Sequence, residues 1–448
     1  RKLSTIPDPL AQDPMERSRM VSSRLAFLKH LILAIGSLGL CVCGTELALH
    51  VYQSWAECAV CRADKSACSP SWTVHHALKP EVHVTVVDPD LGTEVRWGTN
   101  SLGLRGPEIE VPKSPGTYRI LCLGDDSTLA PETNQDETFC ARLKELLPTN
   151  SSVTLEVINA GCPQTGPLLG FLSLRHRLFA LAPDLVVFNF DMSNVAEDHR
   201  CRRSVRMNGN EPLYCPHPDL ERQRTASEVF WVERLLLWQH AKRGVGHLLG
   251  AEDPTEDVRD IDAPQGAYAW QRDDAPDWSV YIDQTLEVLG QMASACHRAN
   301  SEFVVAVIPS PWQISADASN GAGVRERAGL QERVLYKSRL PFDSLSAYCE
   351  KANILYCEPS PAFSGAEHPE RLFRENVARF SASGHELYAR VLERFLVANV
   401  VGPWRVNGTL RPEGRFSERD FSQPGPSPVR HADARSDAEP VSPAQFRR

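Results

Sequence analysis

The chain of 448 residues lacks an excess of positive charge. Its 48 Lys and Arg residues are outnumbered by 57 Asp and Glu residues, and the formal net charge is −9. The basic run at 199–203 is short and local. Nucleic-acid binders need a sustained basic stripe to neutralise phosphates. The composition therefore argues against a nucleic-acid partner.

Complete motifs for metals and nucleotides are also missing. The segment Cys58-Ala-Val-Cys61 resembles half of a zinc site, but no second cysteine pair or suitably spaced histidine pair completes it. Gly244-Val-Gly246 is too short for a phosphate-binding loop. No internal repeat is present that would indicate a solenoid. The sequence therefore predicts no cofactor.

A long apolar segment is present near the N-terminus, at residues 25–49. At about 1.5 Å per residue it could span a membrane core of about 30 Å. A cleaved signal peptide is the alternative, but no convincing small-x-small cleavage site follows, which favours an uncleaved anchor. The basic residues Arg17, Arg19, Arg24 and Lys29 lie on the N-terminal flank. They predict a single-pass protein of the cell membrane whose bulk is extracytoplasmic.

The remaining sequence divides by composition. We expect a cytoplasmic tail at 1–24, the transmembrane signal-anchor at 25–49, an approach segment with a cysteine cluster at 50–117, an α/β domain at 118–400 and a disordered tail at 401–448. Residues 200–276 are predicted to be an insertion in that domain. The clustered cysteines Cys58, Cys61 and Cys68 favour disulfide bonding outside the membrane, and Cys201 and Cys215 bracket a short polar loop and could pair.

Strand and helix patterns alternate through the α/β domain. Apolar runs predict strands, and segments with helical apolar spacing predict the helices between them. The predicted strands are 118–123, 155–159, 185–190, 303–308 and 354–357, and the predicted helices are 138–147, 168–181, 280–299, 342–352 and 382–397. This alternation predicts an α/β fold with a parallel sheet.

The first predicted strand ends in the turn Gly124-Asp125-Asp126-Ser127. In α/β folds, side chains at the C-terminal ends of the strands line the ligand site. Asp125, Asp126 and Ser127 are therefore candidates for a nucleophile or its partners. Asp125 and Asp191, which follows a second strand, could instead only cap the helices that come next.

Five blocks in order resemble the SGNH (GDSL-type) hydrolases, in particular their membrane-anchored bacterial members. The blocks are Asn100-Ser-Leu-Gly-Leu-Arg-Gly106, Ile120-Leu-Cys-Leu-Gly-Asp125, Val157-Ile-Asn-Ala-Gly161, Pro183-Asp-Leu-Val-Val187 and Phe380-Ser-Ala-Ser-Gly-His385. The resemblance covers about residues 88–400. It implies a three-layer α/β/α, flavodoxin-like parallel sheet. It also implies hydrolysis of acyl or acetyl esters on lipids or carbohydrates.

The catalytic positions of that family are replaced in this sequence. Asp126 stands at the serine position, Gln164 at the oxyanion-hole glycine and Ser193 at the oxyanion-hole asparagine. Asn376 and Arg379 stand at the positions of the catalytic Asp and His. A serine needs a histidine to take its proton, and an oxyanion needs fixed donors.

Three hypotheses follow. In the first, the protein is an ester hydrolase with a shifted site. Ser127 is then the nucleophile, Asp125 or Asp126 an orienting group, Asn194 or Gln164 an oxyanion donor and His385 a replacement base. In the second, the serine-hydrolase chemistry is lost, and the site binds a ligand such as a small ester, carbohydrate or lipid, or carries out different chemistry. In the third, the protein is an envelope scaffold that binds a protein partner through the insertion and the cysteine cluster.

The second hypothesis has two electrostatic variants. Carboxylates and a histidine that follow adjacent strands could hold a divalent cation through oxygen ligands. These residues are Asp125, Asp126, Asp191, Glu197, Asp198 and His199. Alternatively, arginines could balance the same carboxylates in ion pairs. The candidate arginines are Arg200, Arg202, Arg203 and Arg379.

Overall fold

A computed structural model describes residues 14–56, 67–148, 153–221, 224 and 266–404. Several predictions fall outside these residues. They are the N-terminal part of the predicted cytoplasmic tail, Cys58 and Cys61 of the cysteine cluster, most of the predicted insertion, and the predicted disordered tail from residue 405 onward.

The N-terminal apolar segment forms part of one long helix, α1 (Pro14–Ala56). Within α1, Phe27–Leu49 is long and apolar enough to cross a membrane. Its large side chains are exposed, with Leu33 at 71% and Leu40 at 77%. Such exposure suits an apolar solvent better than water. Both a membrane anchor and a signal sequence fit this helix.

The described residues contain further helices and strands that agree closely with the predicted alternation. The helices are α2 (Asp126–Leu129), α3 (Phe139–Leu146), α4 (Pro167–His176), α5 (Asn194–Arg202), α6 (Ser279–Arg298), α7 (Pro311–Ile314), α8 (Val324–Arg327), α9 (Leu340–Ala352), α10 (Ser360–Ser364) and α11 (Ala382–Asn399). The strands are β1 (Cys68–Pro70), β2 (His76–Leu78), β3 (His83–Val87), β4 (Glu94–Gly98), β5 (Thr117–Gly124), β6 (Thr154–Gly161), β7 (Leu185–Phe190), β8 (Arg206–Asn208), β9 (Glu211–Tyr214), β10 (Glu302–Val307) and β11 (Leu355–Cys357).

The central sheet has five parallel strands in the order β11-β10-β7-β5-β6. Numbered along the chain within this sheet, the order is 2-1-3-4-5, which is the flavodoxin-like order. Helices α3 and α11 pack together over one face, and α4, α5 and α6 pack together over the other. The predicted three-layer α/β/α fold is confirmed. The approach segment adds two antiparallel hairpins, β1–β2 and β3–β4, which were not predicted.

The alternation of side chains along each strand gives the sheet a buried core on both faces. Successive side chains of a strand point to opposite faces. Leu121 and Leu123 of β5 join the core under α4 and α6. On β7, Asn189 faces the other way and accepts a hydrogen bond from the Tyr388 hydroxyl of α11 at 2.9 Å. The sheet is therefore buried on both faces, as a central parallel sheet requires.

Close contacts between segments hold α2 against the end of β6. The side-chain amide of Asn159 donates to the Thr128 carbonyl at 2.8 Å. Arg105, from the first of the five blocks, donates to the carbonyls of Leu129 and Ala130 at 2.6 and 2.5 Å. A Cβ atom on Gly161 would lie 2.2 Å from the backbone nitrogen of Leu129. Only glycine at 161 therefore allows α2 to lie this close to the sheet.

We predict that Gly161→Ala destabilises the protein by about 2 kcal/mol or more, because backbone has to move to relieve the overlap. Thermal unfolding of the full chain in detergent measures the effect. Gly209→Ala is the control, because no heavy atom lies within 4 Å of its Cβ position and only the φ of +59° opposes the substitution. Equal, small losses of thermal stability in the two variants would contradict the close packing at Gly161.

Candidate functional site

The turn after β5 places three candidate residues at the C-terminal edge of the sheet. Asp125 is the N-cap of α2, and its Oδ1 accepts the backbone N–H of Ser127 at 2.8 Å. This confirms the interpretation of Asp125 as a helix cap. Asp126 is the first residue of α2, so its side chain starts from the position at which the resemblance expects the serine.

The carboxylate of Asp126 is held by two of the four other positions that differ from the family's catalytic set, whereas Asn376 binds Asp90 and Ser193 binds Glu197. The backbone N–H of Gln164 donates to this carboxylate, and Nη2 of Arg379 lies 3.6 Å from Oδ1. Gln164 has a φ of +52°, a backbone conformation typical of glycine. Arg379 also pairs through Nη1 with Glu132. The serine, oxyanion-hole and histidine positions thus come together as an ion pair with a backbone donor.

This ion-pair group is the part of the site that reaches solvent. The side chains of Asp126 and Arg379 are 26% and 23% exposed, and that of Glu132 is 12% exposed. Burial raises the pKa of Asp126, and the neighbouring Glu132 carboxylate adds to the effect. The Arg379 guanidinium and the Gln164 N–H oppose it. Burial disfavours the charge on Arg379, but Glu132 and Asp126 more than offset this and raise its pKa.

Ser127 lies deeper and is already engaged. Its side chain is buried, and its hydroxyl donates to Oδ2 of Asp191 at 3.0 Å. The other oxygen of Asp191 accepts the Tyr268 hydroxyl at 2.9 Å and the Ser193 N–H at 2.9 Å. Among the hydrogen bonds of the described residues, none joins Ser127 to a histidine. Among the described residues, Ser127 therefore has a carboxylate partner, Asp191, and no histidine partner.

Two further candidates, Ser193 and Asn194, follow β7 and donate hydrogen bonds to carboxylates. The Asn194 side-chain amide donates to Oδ2 of Asp125 at 3.2 Å and to Oε2 of Glu197 at 2.9 Å. The Ser193 hydroxyl donates to Oε1 of Glu197 at 3.2 Å. An oxyanion hole needs donors that point at the reacting oxygen. The donors of Asn194 are instead used within the site.

Burial and the repulsion of neighbouring carboxylates raise the pKa values of Asp125 and Glu197. For Asp125, burial is the largest cause, followed by the carboxylates of Asp191, Glu197 and Asp126. Burial raises the pKa of Glu197 to about 7, an effect that Arg200 opposes and that Asp191 increases. Several carboxyls in one buried cluster cannot all ionise without cost. The network therefore favours shared protons.

His385 lies in an aromatic cluster on α11. Its ring stacks on Phe139 at 6.0 Å between ring centroids and meets Phe380 edge-on at 5.5 Å. Its Nδ1 has no hydrogen-bond partner. Burial lowers the pKa of His385 to about 3, and the positive charges of Arg105 and Arg374 act in the same direction. No hydrogen bond of the described residues brings His385 to Ser127, so the geometry gives the replacement-base role no support.

The cation-site alternative finds no geometric support either. Among the described residues, no group of three or more His, Cys, Asp and Glu side chains could hold a metal ion. His199 packs instead edge-on against Tyr281, with 4.6 Å between ring centroids. Arginines balance the charge of the acids. Arg379 pairs with Asp126. Burial raises the pKa of Asp198 to about 7, and the positive charge of Arg202 opposes this rise. The ion-pair variant fits the geometry better.

Sequence reasoning missed two members of the site. Glu132 lies in the loop after α2, and nothing in its spacing from Asp126 connects it with Arg379. Tyr268 lies within the predicted insertion and packs edge-on against Trp312 at 4.6 Å. The neighbouring Trp270 donates from Nε1 to the Met192 carbonyl at 2.7 Å. The end of the insertion therefore fixes the loop that carries Asp191, whereas the predicted scaffold surface within 222–265 lies outside the described residues apart from Arg224.

Comparison with known proteins gives matches in structure only. No family model matches the chain, and no curated protein matches it. Solved structures with a similar arrangement include the lipase/acylhydrolase from Enterococcus faecalis, at 14% identity over 62% of this chain and 95% of that chain, with a TM-score of 0.33. The acetylxylan esterase Axe2 from Geobacillus stearothermophilus has 12% identity over 65% and 97%, with a TM-score of 0.34.

A third similar structure is a GDSL-like lipase from Bacteroides thetaiotaomicron, at 11% identity over 62% of this chain and 86% of that chain, with a TM-score of 0.30. At such low identity and overlap, these matches assign no activity to this chain. The fold rests instead on the strand order of the central sheet and on the helices that cover its two faces.

We predict that the free energy of unfolding falls as pH rises from about 4.5 to about 7. Glu197 has an ordinary pKa of 4.5, which burial raises to about 7 in the fold. In this window the unfolded chain releases the proton while the folded protein keeps it, so stability is lost by about 1–3 kcal/mol as pH rises through the folded pKa. Glu197→Gln removes this contribution and flattens the profile.

Thermal unfolding of the full chain at a series of pH values measures the slope. Glu350→Gln, which changes an exposed glutamate of α9, is the matched control and leaves the profile as in the wild type. The prediction fails if Glu197→Gln and Glu350→Gln give the same pH profile.

Proposed function

We propose that this protein is an SGNH-type protein that binds a polar ligand and does not hydrolyse it. The observation that carries the proposal is the Asp126 carboxylate at the serine position, which accepts the Gln164 N–H and faces Arg379 at 3.6 Å. A carboxylate paired with a guanidinium is a weak nucleophile. Arginine also cannot accept a proton near neutral pH, because its pKa exceeds about 12.

The oxyanion position supports the same conclusion. A tetrahedral oxyanion would need the backbone donor at Gln164, but that donor is used by Asp126. A negatively charged intermediate would also lie beside the carboxylates of Asp126 and Glu132. Oxyanion stabilisation supplies a large part of the rate of acyl transfer. The ester-hydrolase hypothesis would therefore depend on Ser127, which lacks a histidine partner among the described residues.

The chemistry of the solvent-facing group favours a hydroxyl-bearing ligand. Carboxylates accept hydrogen bonds from hydroxyl groups, and the guanidinium of Arg379 donates to hydroxyl or acyl oxygens. The group combines Asp126, Glu132 and Arg379. A neutral carbohydrate, with or without acyl groups, meets these demands better than an anion, which two carboxylates would repel.

The helix Phe27–Leu49 supports a location at the membrane. In this proposal it remains as a single-pass anchor, and the basic N-terminal flank stays in the cytoplasm. The α/β domain and its site then lie on the extracytoplasmic side.

The first test concerns hydrolysis. We expect the full chain in detergent to give no turnover of p-nitrophenyl acetate above buffer and no labelling by a fluorophosphonate probe, because Ser127 is buried, donates its hydroxyl to Asp191 and has no histidine partner among the described residues. Ser127→Ala is expected to behave like the wild type. Labelling of the wild type that is lost in Ser127→Ala would overturn the proposal and support the shifted-serine hydrolase.

The second test concerns binding. We expect the full chain to bind at least one member of a panel of neutral oligosaccharides, acetylated and unmodified, in isothermal titration calorimetry. Arg379→Gln should weaken that binding about tenfold, in line with the loss of one charge-assisted hydrogen bond. Arg371→Gln, at an exposed arginine of the same segment, is the matched control. No binding across the panel, or equal binding by the two variants, contradicts the proposal.

A further inference from the structure

Two thiols meet beside the site without being bonded. Cys201 lies in the last turn of α5, and Cys215 follows β9. The Cys215 thiol donates to the Cys201 carbonyl, with 3.8 Å between sulfur and oxygen, and it raises the pKa of the Cys201 thiol. Both are free thiols in this structure. The sequence predicted that these two cysteines could pair, and the fold brings the Cys215 sulfur to the backbone of Cys201.

The two cysteines belong to different structural units. Cys201 lies in the last turn of the helix that begins at Asn194. Cys215 is tied to the approach segment, because its N–H donates to the Thr73 carbonyl at 2.9 Å and its carbonyl accepts the His75 N–H at 2.6 Å. The hairpin β8–β9 lies between the two cysteines. A covalent bond would therefore join the site helix, the hairpin and the approach segment.

We propose that Cys201 and Cys215 are a disulfide site, oxidised by a small disulfide donor such as oxidised glutathione or by a dithiol oxidase. In the first step, one cysteine thiolate attacks the disulfide of the donor and releases one donor thiol. The other cysteine thiolate then attacks the mixed disulfide and releases the second donor thiol. The cysteines lose two electrons and two protons, and the donor gains both.

A second thiol pair in the same protein shows what distinguishes this one. Burial and the neighbouring Cys122 thiol of β5 raise the pKa of the Cys140 thiol of α3. Cys122 and Cys140 are 0% and 3% exposed, however, in the core of the sheet. Cys201 is only partly buried. A dissolved disulfide donor can therefore reach Cys201 with less opening of the fold than it would need to reach the core pair.

The surroundings of Cys201 indicate when the bond forms. The hydrogen bond with Cys215 is the largest cause that raises the pKa of the Cys201 thiol, followed by burial and the carboxylates of Asp198 and Glu197. Few thiolates are present in the folded dithiol form, so exchange there is slow. The bond is thus suited to formation while the chain folds outside the membrane, and to persistence afterwards.

The disulfide would also stabilise the proposed ligand site, although the disulfide itself does not depend on the proposed function. His76 lies beside the segment that Cys215 holds, and its Nε2 is 2.5 Å from the Pro163 carbonyl. Pro163 precedes Gln164, whose N–H donates to Asp126. Covalent closure at Cys215 would fix the approach segment on which this contact rests.

Peptide mapping tests the bond directly. The full chain is reduced, exchanged into oxidised glutathione under mildly destabilising conditions, trapped with N-ethylmaleimide and digested without reductant. We expect a disulfide-linked peptide that contains Cys201 and Cys215 and is lighter by two hydrogens than the same peptides in reduced form. We also expect Cys122 and Cys140 to be alkylated once the protein is unfolded. Alkylation of both Cys201 and Cys215 throughout the exchange would overturn the inference.

A stability measurement tests the same disulfide independently of peptide mapping. The bond closes a loop of about 15 residues, so oxidised wild type should melt on the order of 5 °C above reduced wild type. Cys201→Ser/Cys215→Ser should lose this response to reductant, whereas Cys122→Ser/Cys140→Ser should keep it. An equal response in the wild type and in Cys201→Ser/Cys215→Ser contradicts the proposal. Neither measurement uses a ligand, so their outcome is separate from that of the binding proposal.

Discussion

The ion pair between Asp126 and Arg379 is the constraint on which the site depends. A partly buried carboxylate at the end of β5 needs a counter-charge and a donor, because an unpaired charge there would be costly. Arg379 supplies the charge from the segment before the last helix, and the Gln164 N–H supplies the donor. Arg379 in turn pairs with Glu132, in the loop whose backbone Arg105 holds. Asp126, Gln164 and Arg379, together with Glu132, therefore form one interdependent unit.

Beneath this ion pair the polar groups satisfy each other. Donors from Ser127, Tyr268 and Asn194 match acceptors on Asp191, Asp125 and Glu197. These donors and acceptors bind one another and so hold the loops together. The buried acids thereby contribute to structure, and burial raises the pKa values of Asp125 and Glu197.

Sequence patterns predicted the sheet well because parallel buried strands are continuously apolar and the helices between them are amphipathic. Leu185–Phe190 was predicted with the bounds that the structure has. The two small hairpins of the approach segment were not predicted, since their strands are short and their register depends on contacts such as Cys215 with Thr73. The site was predicted by position, because strand C-termini converge in this fold, but its members Glu132 and Tyr268 carry no local signal.

The sequence alone determined the class of fold and the apolar N-terminal helix. Residue identities on a strand–helix frame are enough for those statements, and they also placed Asp126, Asp125 and Ser127 at the end of a strand. Only the tertiary structure decided which partners these side chains have. Whether Asp126 meets Arg379, where Ser127 donates its proton and whether His385 lies among aromatic rings depend on contacts between segments far apart in the chain. Such contacts are set by packing, which local sequence patterns do not encode.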